Sequence, residues 1–152
     1  MAKVPWRFFV AGMPEPAGSP QIIRIGKEKK AAIAWQKGPK WTRAVARALQ
    51  DAIPAEERPL ISGPVAMTLR FYVPRPANPK FEVPATPPDM DKLERATLDG
   101  LTFRDHNQKR RPLLIEDDAR VVEKHTYLYY AGRVIPPGVE ITVWPAGEGD
   151  TG

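Results

Sequence analysis

The sequence predicts a small α+β domain in which a mixed β-sheet carries helices mainly on one face. Its 152 residues correspond to about one domain. Hydrophobic residues make up 42% and charged residues 27%, so the chain can build a core despite its 18 prolines. Hydrophobic periodicity gives the order strand, helix, strand, helix, strand, strand. We expect one domain over residues 1–145 and a flexible tail over 146–152.

The first half of the chain contains one clear strand and one clear helix. Residues 6–10 are aromatic and β-prone and predict the first strand, whereas the Gly- and Pro-rich segment 11–20 predicts a loop. The isoleucines within 22–25 favour a short strand. Apolar residues at helical spacing then predict a helix that begins near Pro39 and ends before Pro54.

The second half contains the most regular strand of the chain. Residues 65–73 alternate between two faces, as in a half-buried strand. The proline-rich segment after it is too irregular for an element of its own, and loops of that length are usually functional or disordered. The other predicted features are a loop at 74–88, a helix at 91–101, an exposed basic excursion at 102–112, strands at 120–130 and 139–143, and a frayed end from 145.

Composition narrows the possible chemistry. The absence of cysteine excludes disulfides, thiolate nucleophiles, iron–sulfur clusters and cysteine-ligated zinc, and two histidines exclude an all-histidine zinc site. Any metal must be held mainly by oxygen, which favours Mg²⁺, with Mn²⁺ as an alternative ion. No apolar run reaches the roughly 20 residues of a membrane span, and residues 1–10 lack the features of a signal peptide. We therefore expect a cytoplasmic protein without a membrane partner.

The net charge of +5 and the pI of about 9.6 indicate a polyanionic partner, most commonly nucleic acid. A merely basic soluble protein is the alternative that charge alone leaves open. One helical face carries three cations that either contact phosphates or form a solvated surface. The candidate nucleic-acid-binding residues are Lys27, Lys29, Lys30, Lys40, Arg43 and Arg47.

Two carboxylates stand at the start of the second predicted helix. Two prolines hold the approach to Asp89 extended, and residues two apart in an extended segment point the same way. Asp89 and Asp91 can therefore converge, and a divalent cation would relieve their mutual repulsion. On the helix, Asp91, Arg95 and Asp99 share one face, whereas Leu93 belongs to the face towards the core.

A second acidic pair, Asp117 and Asp118, precedes the strand that is predicted from Arg120. If that strand lies beside the second helix, Asp118 could complete a cluster with Asp89 and Asp91. Each feature also has a purely structural interpretation. Asp91 and Glu94 match a capping box, Asp91 and Arg95 match an ordinary i,i+4 ion pair, and Asp117–Asp118 matches turn chemistry.

The motifs together resemble the RusA family of Holliday junction resolvases. Residues 88–101 are similar to the family signature P-D-x-D-N-L-x-K-x-x-L-D-A-L, and residues 117–121 are similar to its D-D-x-Q-V. Residues 10–16 resemble its V-x-G-x-P-x-P opening, and residues 137–141 resemble its final strand. The resemblance covers nearly the whole chain in the family's order.

The resemblance implies a RusA-like α+β fold and a homodimeric, Mg²⁺-dependent endodeoxyribonuclease that resolves four-way junctions by paired, symmetric nicks. By motif position, Asp89, Asp91 and Asp118 would be catalytic metal ligands, with Asp117 as an adjacent member. Arg95 would take the place of the family's catalytic lysine. The chain departs from the family in Lys92, which replaces asparagine, in Arg95 itself, and in a longer connection at 102–116.

Two other functions remain open on the sequence. A related protein could grip branched DNA without cutting it, because arginine stays protonated and donates a proton poorly. A nuclease of the same kind could instead act on flaps or replication forks.

Overall fold

The computed structural model describes residues 6–16, 20–25, 30–35, 39–87, 89–102, 104–105 and 111–146. These segments contain two helices, eight strands and one 3₁₀ turn at Asp118–Arg120. The helices are α1 (Pro39–Ala52) and α2 (Met90–Leu101). The strands are β1 (Trp6–Ala11), β2 (Pro20–Ile25), β3 (Lys30–Trp35), β4 (Val65–Val73), β5 (Arg104–Asp105), β6 (Arg111–Pro112), β7 (Val121–Tyr130) and β8 (Gly138–Pro145).

The central sheet has four strands in the order β1-β8-β4-β7. Strand β8 pairs antiparallel with β1 and β4, whereas β7 pairs parallel with β4. The strands β2 and β3 form a separate antiparallel hairpin, and β5 and β6 form a very short one. Strand β7 therefore lies at one edge of this mixed sheet. Within the described residues, it pairs with β4 on one side and with no strand on the other.

Alternation along β4 divides the sheet into a covered face and an open face. Met67, Leu69 and Phe71 are fully buried and belong to one core with residues of both helices, such as Leu49 and Leu93. The register places Thr126 and Leu128 of β7 on this covered face and places Arg70 and Tyr127 on the open face. Helices on one face of a mixed sheet confirm the predicted α+β class.

The two helices are joined by buried polar contacts as well as by apolar packing. The Trp41 indole N–H donates to the hydroxyl of Thr97 over 3.0 Å, and that hydroxyl donates to the Leu93 carbonyl over 2.9 Å. The Thr42 hydroxyl donates to the Ala96 carbonyl over 2.8 Å. Because these groups are satisfied at the helix contact, burying them costs little. The position of α2 against α1 is thereby fixed.

The structure agrees with most predicted elements and adds three. Helix α1 begins and ends as expected, and α2 begins one residue earlier, at Met90. The 3₁₀ turn at residues 118–120 and the β5–β6 hairpin were not predicted, because such short elements leave little periodicity to detect. Strand β3 was not predicted because its sequence, KAAIAW, is rich in alanine, which has a low β propensity. None of the described helices is long and apolar enough to cross a membrane.

Several predictions concern residues that the structure does not describe. Residues 147–152 of the expected tail, most of the 102–112 excursion and the side chains of Lys27, Lys29 and Lys30 are not described.

Candidate active site

The first turn of α2 presents two exposed carboxylates. Asp89 is the N-cap residue, with an extended backbone, and its side chain makes no capping hydrogen bond. Asp91 lies in the first turn, is exposed, and forms no ion pair within 4.0 Å with any residue that the structure describes. Both carboxylates are therefore available to a cation or a hydrogen-bond donor. The expected ion pair between Asp91 and Arg95 is absent from the described contacts.

The capping-box interpretation of Asp91 and Glu94 is wrong, because Glu94 turns towards the sheet. Its carboxylate accepts a hydrogen bond from the Thr126 hydroxyl and lies 3.3 Å from the Lys124 ammonium. The Glu94 side chain is only 12% exposed, so its charge needs both partners. These contacts connect the middle of α2 to the middle of β7.

Asp89 lines an open groove of about 840 Å³. One wall is the segment Met13–Pro16, and the other is formed by Pro87, Asp89 and Lys92. Lys92 is half-buried and places a cation on the same groove as the carboxylate. The groove thus carries a carboxylate and an ammonium group on one surface.

Helix α2 runs antiparallel to β7, so Asp118 does not lie beside Asp89 and Asp91. Leu93, near the start of α2, shares a cavity with Leu128 and Tyr130 at the end of β7. At the other end, the amide N–H groups of residues 114 and 115 donate to the Leu101 carbonyl, and Asp118 follows shortly afterwards. From Asp91 to Asp99 the helix rises about 12 Å. Asp118 therefore lies at the opposite end of α2 from the Asp89–Asp91 pair.

Asp118 instead neighbours Asp99. Partial burial raises the pKa of the Asp99 carboxyl, and the negative charge of Asp118 raises it further, whereas the Arg95 guanidinium opposes both effects. Asp91, Arg95 and Asp99 are all exposed, as the predicted helix face requires. These three residues thus form a row of charged side chains along α2, and Asp118 lies next to the last of them, Asp99.

Asp117 has a structural role in the 3₁₀ turn. It is the N-cap residue, and its carboxylate accepts the Ala119 amide N–H over 3.2 Å. Arg120 pairs with Glu116 over 3.3 Å, which closes the same turn. The turn holds Asp118 exposed at the entrance to β7, while the Asp117 carboxylate is engaged locally.

Within the described part of one chain, no three acidic or histidine side chains converge closely enough to hold a metal. The pair Asp89 and Asp91 nevertheless suits Mg²⁺. This ion keeps several waters and is commonly bound by one or two carboxylates together with substrate phosphate. Both side chains are exposed oxygen donors, the type of ligand that Mg²⁺ prefers.

A basic surface lies beside this groove. Exposed Lys40, Arg43 and Arg47 line a second groove on α1, together with Val10 and Ala11 of β1. The chain runs directly from Ala11 into Met13–Pro16, which forms a wall of the Asp89 groove. The three cations of α1 are therefore exposed on one surface of the helix, and Ala11 of that surface is two residues along the chain from the wall of the Asp89 groove.

The sequence predicts only a capping role for Glu94 and no functional role for Asp99 or Lys124. Helical periodicity placed Asp99 on the same face as Asp91, which was a usable signal. The partners of Glu94 lie on β7, 30 residues or more along the chain, and only the antiparallel packing of α2 on β7 brings them together.

Comparison with protein-family models shows a match over residues 12–144 to the family described as Endodeoxyribonuclease RusA. The matched segment includes the groove wall, both helices, the carboxylates of α2 and the Asp117–Asp118 turn. A search of curated protein sequences found no match.

Proposed function

Because the chain belongs to the RusA family of endodeoxyribonucleases, we propose that it resolves Holliday junctions by metal-dependent, symmetric hydrolysis of two phosphodiesters. The observation that carries this proposal is the exposed Asp89 carboxylate on a groove that also holds Lys92, with the exposed Asp91 two residues further along in the first turn of α2. A basic surface beside that groove suits a DNA backbone.

Asp89 and Asp91 would hold Mg²⁺, or Mn²⁺ in its place. When bound, the ion supplies a water of lowered pKa and balances charge on the phosphate. In the reaction, a water oxygen bonds to phosphorus as the bond from phosphorus to one ester oxygen breaks. The water gives up a proton to solvent, and the departing oxygen takes one up. Lys92 and Arg95 would offset the negative charge that accumulates on the phosphate oxygens. Arg95 stays protonated, so its contribution is electrostatic rather than proton transfer.

Replacing Asp91 with asparagine tests the assignment of the site. Asp91→Asn removes one anionic oxygen donor while keeping the size of the side chain. We expect junction cleavage to fall by roughly 10²-fold or more, because the loss acts on charge stabilisation during reaction. Binding to the junction, measured by gel retardation, should persist. Glu57→Gln, an exposed change in the turn after α1, is the matched control. If the Asp91→Asn protein cleaved the junction at the wild-type rate, the assignment of Asp91 to the active site would be wrong.

A homodimer would explain paired nicks, and the edge strand β7 supplies a surface for it. Within the described residues, the outer edge of the ten-residue strand β7 has no pairing partner, and such an edge is a template for pairing with another chain. A two-fold axis perpendicular to the sheet would pair two β7 strands antiparallel and leave both α2 helices on one face. The start of one β7 would then approach the end of the other. Asp118 of one copy would come close to the Asp89–Asp91 pair of the second copy.

Mixing two inactive variants tests this dimer. In a heterodimer of Asp91→Asn with Asp118→Asn, one of the two shared sites keeps every wild-type carboxylate. We therefore expect single nicks from the mixture, although each variant alone is inactive. If each site were built from one chain, the mixture would stay inactive after subunit exchange, and the shared arrangement would be excluded.

The presence of arginine at position 95 favours a second candidate, a protein that binds branched DNA without cutting it. Arg95→Lys distinguishes the two. Activity that appears only in Arg95→Lys would support the binding protein, whereas activity in both forms supports the nuclease. A panel of synthetic four-way junctions, flaps and forks then identifies the preferred substrate.

A further inference from the structure

We propose that the apolar cavity beside the Asp89 groove binds one unstacked nucleobase of the DNA strand next to the scissile phosphate. The inference rests on the proposed nuclease function and adds a base-binding site to it. The cavity has a volume of about 340 Å³, which is within the range of pockets that enclose small ligands. It lies between the loop after β1, the loop after β4 and the start of α2.

The lining of this cavity suits a flat, neutral heterocycle. Five prolines form much of the wall, and no charged side chain is among its described lining residues. Leu128 adds apolar surface and Tyr130 adds an aromatic ring, while the fully buried Leu93 lies behind the wall. Enzymes that extrude a base commonly hold it between aromatic and apolar side chains of this kind. A phosphate would find no cation here, and a base needs none.

The walls are held in place before any ligand binds. The Tyr130 hydroxyl donates to the Phe81 carbonyl over 3.3 Å, which connects the ring to the loop after β4. Leu93 is fully buried in the core, and Pro84 is also buried. Proline rings lose little freedom when a ligand packs on them, so a preformed pocket of this composition binds at low entropic cost.

The cavity is continuous with the candidate active site. Met13, Pro14 and Pro87 line both the apolar cavity and the groove that contains Asp89 and Lys92. A charged groove beside a neutral pocket matches the charge pattern of one nucleotide, with its phosphate in the groove and its base in the pocket. Met13 is 60% exposed at the shared wall, where a base would enter. Unpaired bases at a branch point require the least energy to leave the stack.

A double-mutant cycle between protein and DNA tests the proposal. All proteins carry Asp91→Asn so that the junction is not cut. Thr86→Trp fills the cavity from an exposed position, and Met13→Trp fills it from the other wall. Val83→Trp adds the same side chain to the same loop outside the cavity lining. Each protein binds an intact junction and junctions with a single abasic site at each nucleotide around the crossover.

We expect Thr86→Trp or Met13→Trp to weaken binding of the intact junction on the order of tenfold, because one base–pocket contact is lost. An abasic site at one position should cause a similar loss, and the two changes together should cause no further loss. Val83→Trp should bind normally. The proposal would be overturned if the losses from the protein change and from the abasic site multiplied when combined. It would also be overturned if Thr86→Trp and Met13→Trp both bound the junction as well as Val83→Trp does. If the Asp91→Asn protein failed to prefer the junction over linear duplex, the proposed function itself would fail first.

Discussion

At the scale of single residues, the sequence identified the groups that could act, and the structure shows which of them are free. Asp89 and Asp91 stand exposed at the start of α2 as the spacing predicted. Asp117 was treated as a possible ligand, yet its carboxylate caps a turn. The sequence could not predict which residues surround Asp118, because they depend on the relative direction of α2 and β7. The antiparallel direction places Asp118 beside Asp99.

The carboxyl of Asp99 provides a pH-dependent prediction. Its pKa is raised by burial first and by Asp118 second, so its ionised form opposes folding. A raised carboxyl pKa makes this cost present at neutral pH and removes it as the pH falls below the ordinary value of about 3.9. In EDTA, Asp99→Asn should therefore raise the melting temperature at pH 7 but not near pH 3. Asp51→Asn, exposed on α1, is the matched change. Equal stability of Asp99→Asn and wild type at pH 7 would contradict this assignment.

At the scale of elements, the sequence predicted both helices and all four strands of the central sheet. Periodicity identified the helices, β4 and β8, because regularly spaced residues of these elements are buried in the core. Strands β1 and β7 were predicted from residues of high β propensity, and β7 has no buried residue. Neither signal is present in the alanine-rich β3 or in the three-residue 3₁₀ turn. The sequence pattern also could not predict the close contact between the two helices, since this contact depends on Gly100, which faces α1.

Replacing Gly100 with alanine tests that helix contact. Alanine is normally the better helix former by about 1 kcal/mol. Here its Cβ would lie 2.6 Å from the Val45 Cβ and 2.9 Å from the Thr42 carbonyl oxygen, so the helices must separate. We expect Gly100→Ala to lower the free energy of unfolding by about 1–3 kcal/mol in urea denaturation. Gly63→Ala, where the added Cβ meets nothing within 4 Å, should change it little. A stabilised Gly100→Ala variant would show that the helices are not in close contact.

At the scale of the whole molecule, the sequence predicted the α+β class and the family, and the structure and the family match confirm both. The basic surface on α1 includes Ala11, two residues before the segment Met13–Pro16 that forms one wall of the Asp89 groove. The arrangement of two copies could not be predicted from the sequence. It depends on which strand is left at an edge of the sheet, and only the strand order reveals that β7 is one of them.

The most direct test is to incubate the purified protein with a labelled synthetic four-way junction, in Mg²⁺ and in EDTA, with linear duplex as the control. We expect paired, symmetric nicks in the junction that require Mg²⁺, and little cleavage of the duplex. Such nicks would also show that Arg95 supports the reaction in place of lysine. A junction that is retarded but uncut under both conditions would contradict the account and favour a protein that only binds branched DNA.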